Sequence, residues 1–100
     1  MLRISVSTNQ DSIRFTLAGR LAGPWANELG RAWTELAPTL GDRKLLIDLR
    51  DATYADATGL LVLRDIYTQT TAQFITGSPW TKYIAEEVTR PAMIHSAEEF

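Results

Sequence analysis

The residues best suited to carry chemistry lie in a stretch of small and polar residues at positions 51–59, just before an aliphatic run. Within it, the sequence Asp56-Ala57-Thr58-Gly59 places a hydroxyl in the first turn of a predicted helix. Such a hydroxyl lies beside backbone N–H groups that have no helical partner, at the positive end of the helix dipole. A phosphate on Thr58 would carry about −1.5 to −2 charges, with those N–H groups as donors and the Asp56 carboxylate repelling it or helping to hold a cation. In a simpler interpretation, Asp56 only caps the helix and Thr58 is an ordinary first-turn residue.

The chain offers few side chains for disulfides, metal sites or hydrolytic catalysis. The chain has no cysteine and one histidine, His95, so disulfides, thiolate metal sites and multi-histidine metal sites are excluded. A hydrolytic triad would have to use His95, and no evident nucleophile accompanies it. We therefore predict no catalytic residues, no metal site and no cofactor, and a protein that is not an enzyme.

Length and composition set the broad class. One hundred residues, 45% of them hydrophobic and 22% charged with a net charge of −2, predict one folded domain over residues 1–100. The near-neutral charge argues against a nucleic-acid partner, which would call for a basic face. The N-terminal residues alternate between apolar and polar types, unlike a signal peptide, and the longest aliphatic run, residues 60–63, is too short to cross a bilayer. We predict a cytoplasmic protein without direct membrane insertion.

Hydrophobic periodicity predicts the elements that position the Thr58 segment. Period-two alternation predicts a hairpin of two strands at residues 2–6 and 13–17, the second ended by Gly19. Helical spacing then follows, beginning at Pro24 and stopping near residues 38–41. An apolar run at residues 45–49 indicates a strand buried on both faces, followed by a loop through residues 50–59. A second helix (57–70), a strand (72–76), a third helix (80–88) and a short last strand (93–94) complete the order β-β-α-β-α-β-α(-β).

The three tryptophans are assigned to structure in this prediction. Trp25, Trp33 and Trp80 recur at helical spacing and are expected to be core or sheet-covering residues, with Tyr83 also facing inward. Their exposure would instead favour a partner interface. The fold class is α/β, with a mixed sheet of four to five strands and helices packed on it.

Residues 45–49 and 53–63 together resemble the signature of the STAS (sulfate transporter and anti-sigma factor antagonist) domain family. In that family a hydrophobic strand ending in Asp-Leu precedes a short loop, an Asp-Ser-Ser-Gly or Asp-Ser-Thr-Gly string and an aliphatic helix. Residues 17–21, 74–79 and 94–99 extend the similarity over nearly the whole chain. The resemblance implies a STAS-like (SpoIIAA-like) fold.

The resemblance also implies a regulatory role in bacterial transcription. In antagonist members a partner kinase phosphorylates the hydroxyl residue before the glycine, which is Thr58 here, and a phosphatase resets the protein. The unmodified protein binds an anti-sigma factor, which is also the serine/threonine kinase, and so releases sigma. Ala57, where many members have Ser, and Ala22, where members often have an acidic residue, depart from the pattern. The expected partner-binding residues are Tyr54, Asp56, Ala57, Thr58, Gly59, Leu61 and Arg64.

Several alternatives remain open at this stage. The chain could be a STAS subunit that docks on the ATPase of an ABC phospholipid-transport complex, with Thr58 as a contact residue. It could also be a scaffold STAS domain without phosphorylation. An enzyme or small-ligand carrier ranks last, because no convergent set of polar residues stands out. A homodimer is left open.

Overall fold

The computed structural model describes residues 1–90, and within them seven elements follow the predicted order. The predicted last strand at 93–94, the capping-box sequence at 96–99 and His95 lie outside the described residues. The elements are β1 (Leu2–Thr8), β2 (Ser12–Leu21), α1 (Pro24–Leu40), β3 (Lys44–Ala55), α2 (Ala57–Thr70), β4 (Gln73–Ile75) and α3 (Pro79–Thr89).

The strands form one mixed sheet in the order β1-β2-β3-β4. The hairpin pair β1–β2 is antiparallel, whereas β2–β3 and β3–β4 are parallel. The β1–β2 turn is held by the Asn9 carboxamide, which accepts from the Asp11 and Ser12 N–H groups at 2.8 Å each. Each parallel connection runs through a helix, as parallel strands require. The predicted α/β mixed sheet with packed helices is therefore confirmed.

The core lies on one face of the sheet, where alternate residues of the central strands meet the helices. Phe15 of β2 and Ile47 of β3 are neighbours in the parallel register, and both are fully buried. Trp33 of α1 packs edge-on against Phe15 with ring centroids 6.5 Å apart. Leu63 of α2 and Ile84 of α3 belong to the same cluster. The alternation therefore decides which strand residues face the helices.

The opposite face of β3 carries a buried charge. The side chain of Asp48 is only 5% exposed, and its carboxylate receives both the Arg50 Nε–H at 3.0 Å and the Arg50 Nη2–H at 2.7 Å. Arg14 Nη1 lies 4.0 Å from the same carboxylate. These hydrogen bonds and charges hold the pKa of Asp48 below its ordinary value of 3.8. A fork-to-fork pair of this kind is what makes a buried carboxylate tolerable.

Two strand boundaries were predicted wrongly. β2 continues past Gly19 to Leu21, and β3 continues through the predicted loop to Ala55. The extensions pair with each other: Ala18 lies opposite Asp51, and Arg20 lies opposite Tyr54. Register irregularities interrupt this pairing twice, so the side chains do not alternate in the pattern that marks a strand in sequence.

Candidate functional site

Three helices begin at one edge of the sheet, where the parallel strands β2, β3 and β4 end. Open α/β sheets collect their functional groups at this carboxyl edge. The turn into α1 is Ala22-Gly23, the turn into α2 is Asp56 alone, and the turn into α3 runs from Thr76 to Ser78. Thr58 lies in the first turn of α2, as the sequence predicted, and the starts of α1 and α3 lie at the same edge.

Asp56 is the N-cap of α2 and ties two helix starts together. Its Oδ1 accepts the Gly59 N–H at 2.8 Å, which is the usual N-cap bond. Its Oδ2 accepts the Gly23 N–H at 3.0 Å, and Gly23 is the N-cap residue of α1. The Asp56 N–H in turn donates to the Leu21 carbonyl at 3.2 Å. The Asp56 carboxylate thus ties the start of α1 to the start of α2, and the Asp56 backbone N–H ties both to the end of β2.

The charge of Asp56 is favoured by the same contacts. The backbone N–H groups of Gly59 and Gly23 hold the pKa of the Asp56 carboxyl below its ordinary value of 3.8. Asp56 is therefore an anion at neutral pH, two residues before Thr58. A second negative group on Thr58 would meet this fixed charge.

Gly59 lets α2 begin close to the end of β2. A Cβ at position 59 would lie 2.2 Å from the Leu21 carbonyl oxygen and 2.9 Å from Leu21 Cγ. The first distance is far inside van der Waals contact with a backbone atom. Gly59 is buried and offers no side chain, so its part in the site is to allow this close approach.

The predicted partner-binding residues divide into two groups. Tyr54, Ala57, Thr58 and Leu61 are exposed, with Tyr54 at 42% and Leu61 at 62%. No hydrogen bond of the Thr58 hydroxyl occurs within residues 1–90, so the hydroxyl is accessible at the second position of α2.

The other three predicted partner-binding residues have structural contacts. Asp56 and Gly59 build the turn described above, and the Arg64 side chain is occupied by the end of α3. Its guanidinium donates to the Glu87 carbonyl at 3.2 Å, to the Val88 carbonyl at 3.5 Å and to the Arg90 carbonyl. These carbonyls lack helical partners at a helix C-terminus, so Arg64 acts as a side-chain cap.

The sequence prediction missed residues that belong to this edge. The Arg20 guanidinium carbon lies 4.4 Å from the centroid of the Tyr54 ring, a cation–π contact across paired strands. Gly23 donates its N–H to Asp56 from 33 residues away. From the sequence, the Gly23-Pro24 pair indicated only that a helix begins there, and no contact with Asp56 was predicted.

The prediction for the aromatic residues was wrong in part. Trp33 is buried as expected, but Trp25 and Trp80 are 39% and 37% exposed and Tyr83 is 54% exposed. Trp25 and Trp80 lie at the starts of their helices. Each directly follows the proline that opens the helix, α1 for Trp25 and α3 for Trp80. Closeness to a helix start does not explain this exposure, because the next residues, Ala26 and Thr81, are buried. Exposed aromatics there favour a partner surface.

Within residues 1–90, no helix is both long enough and apolar enough to cross a membrane. The same residues contain no group of three or more side chains of the types that commonly bind metal ions. A shallow groove of about 310 Å³ lies between α2 and α3, lined by Ala57, Leu60, Leu61, Arg64, Glu87 and Val88.

Solved structures resemble this chain in fold. The unphosphorylated anti-sigma factor antagonist SpoIIAA superposes with a TM-score of 0.59 and 14% identity, covering 84% of this chain and 80% of that one. The chain has the SpoIIAA-like, or STAS-like, fold. A DUF3478-family protein with a SpoIIAA-like fold from Shewanella loihica PV-4 gives a TM-score of 0.56 and 16% identity, covering 89% of this chain and 80% of that one.

A third structure, described as Mglu, resembles this chain over part of a much longer chain. It gives a TM-score of 0.61 and 18% identity over 75% of this chain, and this chain spans 19% of its length. No family model and no curated protein matches the sequence. The likeness to the SpoIIAA-like fold therefore rests on three-dimensional structure, and it confirms the fold that the sequence signature implied.

Proposed function

We propose that this chain is an anti-sigma factor antagonist-like regulator that binds a partner anti-sigma factor with serine/threonine kinase activity and is switched by phosphorylation of Thr58. The observation that carries the proposal is the exposed Thr58 hydroxyl at the second position of α2, beside the Asp56 carboxylate. The SpoIIAA-like fold, shared with an anti-sigma factor antagonist, supports the same role. The protein itself has no catalytic part in this scheme, and it acts in the cytoplasm.

The unmodified surface is suited to protein binding. Tyr54 and Leu61 expose large apolar side chains on either side of Thr58 in the sequence, and Trp25 adds a third near the start of α1. Tyrosine and tryptophan supply much contact area for few ordered torsions, and they are enriched where protein interfaces bind most strongly. Asp56 and Gly59 contribute by fixing the backbone on which these side chains stand.

Phosphorylation would change the charge of this surface at its centre. The Gly59 N–H is already bonded to Asp56, so a phosphate on Thr58 would find few free N–H donors in the first turn. It would also lie beside the Asp56 carboxylate, which gives a cluster of about −2.5 to −3 charges. A closely packed partner would have to desolvate that cluster, and the complex should dissociate. A phosphatase would then restore binding.

The chemical step is tested by phosphorylation in vitro. The protein is incubated with ATP and the serine/threonine kinase of its regulatory system, and the product is examined by intact mass and peptide mapping. We expect one phosphate, on Thr58, and none on Thr58→Ala. Thr53→Ala is the matched control, because Thr53 is exposed and lies five residues earlier, in β3. No phosphate on the wild type, or equal labelling of Thr58→Ala, would refute the proposal.

The partner surface is tested separately by the affinity of the kinase for unphosphorylated variants. Leu61→Asp should weaken binding about tenfold or more, as expected for an exposed apolar side chain that the partner buries in the complex. Thr68→Asp places the same charge on an exposed position two turns further along α2 and should bind like the wild type. If Leu61→Asp binds as well as Thr68→Asp, the surface around Thr58 is not the contact.

A further inference from the structure

The outer edge of β1 is an open side of the sheet. Within residues 1–90, β1 pairs only with β2, so its other side has no strand partner. The Met1 carbonyl accepts the Arg20 N–H at 2.9 Å, and the Asn9 N–H donates to the Ser12 carbonyl at 2.9 Å. Both bonds involve odd-numbered residues that directly flank β1, and bonded and non-bonded positions alternate in an antiparallel pair. The N–H and C=O groups directed to the open side therefore belong to Leu2, Ile4, Val6 and Thr8.

Apart from one arginine, this edge carries none of the usual features that prevent strand pairing. Natural edge strands are short, or interrupted by proline, bulges or lysines. β1 has seven residues, its pairing with β2 is continuous, and it contains no proline, glycine or lysine. Arg3 is its one charged residue. At the other side of the sheet, by contrast, β4 is three residues long.

An incompletely covered apolar row runs along the same edge. Ile4 lies opposite Leu17 and Val6 lies opposite Phe15, so both point to the core face of the sheet. Leu17 and Phe15 are fully buried, whereas Ile4 is half-buried and Val6 is 48% exposed. Extension of the sheet beyond β1 would cover these side chains.

We propose that a second copy of this chain pairs along β1 in antiparallel orientation, with the two Ser5 residues facing each other on the two-fold axis. In this register the even-numbered residues form the hydrogen-bonded pairs, Ile4 with Val6 and Leu2 with Thr8. This choice uses all four open residues of each strand, and a two-fold axis through Ile4 or Val6 would leave one of them unpaired. Ile4 and Val6 of both copies then form one apolar cluster on the core face.

The charges are compatible with this pairing. Arg3 of one copy lies opposite Ser7 of the other, so no like charges face each other across the interface. The two Arg3 residues are four positions apart along the strands, or about 14 Å, which is beyond the screening distance at physiological salt. The pairing joins the two sheets into one through an isologous interface. It uses no residue of the proposed partner surface, so its failure would leave the proposed function untouched.

Single cysteine variants test the register, since the natural chain has no cysteine. The two Ser5 residues would form a non-hydrogen-bonded pair with Cα atoms about 4.5 Å apart, within the range that a disulfide spans. Ser5→Cys should therefore form a disulfide-linked dimer under mild oxidation, seen on a non-reducing gel. Ser7→Cys is the matched control: it is equally exposed, but its two copies would be about 14 Å apart. Equal cross-linking of the two variants, or none with Ser5→Cys, would overturn the proposed register.

The association itself is tested with the unmodified protein by sedimentation velocity over a range of concentrations up to the millimolar. We expect a reversible dimer that Val6→Lys abolishes, because each lysine would face Ile4 of the other copy. Tyr83→Lys replaces another exposed apolar residue, on α3, and should dimerise like the wild type. A wild type that stays monomeric, or a Val6→Lys variant that dimerises normally, would overturn the proposal.

Discussion

Substitution of Gly59 by alanine has two opposite effects on stability at the start of α2, a gain in helix propensity and a steric clash. In an exposed helix, alanine is favoured over glycine by roughly 0.5–1 kcal/mol, because glycine loses more backbone freedom on folding. In this fold the new Cβ would lie 2.2 Å from the Leu21 carbonyl oxygen. Since that oxygen belongs to the backbone, a side-chain rotation cannot relieve the clash. The start of α2 or the end of β2 must move.

The cost of that movement can be estimated from the contacts it breaks. Overpacking a tight site costs about 1–3 kcal/mol. The hydrogen bond from the Asp56 N–H to the Leu21 carbonyl crosses the same gap, and its loss adds about 1 kcal/mol. After subtraction of the gain in helix propensity, Gly59→Ala should lower the free energy of unfolding by about 1–3.5 kcal/mol. The effect is large for a domain whose total stability is about 5–15 kcal/mol.

Urea denaturation followed by circular dichroism measures this change, with Gly30→Ala as the matched control. Gly30 lies inside α1, and a Cβ there would have its nearest neighbour, Val62 Cγ1, at 3.9 Å, an ordinary contact. Gly30→Ala should therefore stabilise the protein by about 0.5–1 kcal/mol. The urea midpoint should fall for Gly59→Ala and rise for Gly30→Ala, with an unchanged slope. If Gly59→Ala also raises the midpoint, the close approach does not constrain position 59 and the reasoning fails.

Three further predictions concern charge and packing. Because the fold lowers the pKa values of Asp48 and Asp56 below 3.8, the unfolded chain takes up protons first on acidification, so the free energy of unfolding should fall as pH drops below about 5. Acid titration of the double variant with asparagine at both positions should show a flatter dependence; an unchanged curve would contradict this. Arg64→Ala should destabilise the protein by about 1–2 kcal/mol and speed amide exchange in the last turn of α3, with Arg64→Lys recovering only part. Trp33→Phe removes the indole N–H bond to the Gln69 carboxamide at 3.2 Å and should cost about 1–2 kcal/mol in urea denaturation; a neutral result would mean that this bond adds nothing to stability.

Much of the fold could be predicted because local periodicity reports on local burial. The switch from period two to helical spacing placed each helix, and the Asp56-Ala57-Thr58-Gly59 string marked the start of α2 correctly. The length of β3 could not be predicted in this way. Residues 50–55 are small and polar, and they become a strand because residues 18–21 of β2 pair with them across an irregular register. Strand pairing of this kind is decided between distant segments, so no local pattern records it.

The candidate site likewise has features that the local sequence determines and features that depend on contacts between distant segments. The sequence by itself determined that a hydroxyl would lie in the first turn of α2 beside a capping carboxylate, since N-cap chemistry is local. Only the tertiary structure decided that Asp56 also holds the start of α1 through Gly23, and that Gly59 is needed because the Leu21 carbonyl comes so close. It also decided that Trp25 is exposed although it follows the apolar spacing of α1. Helical spacing assigns a side chain to a face, whereas its exposure depends on whether another element reaches that part of the face.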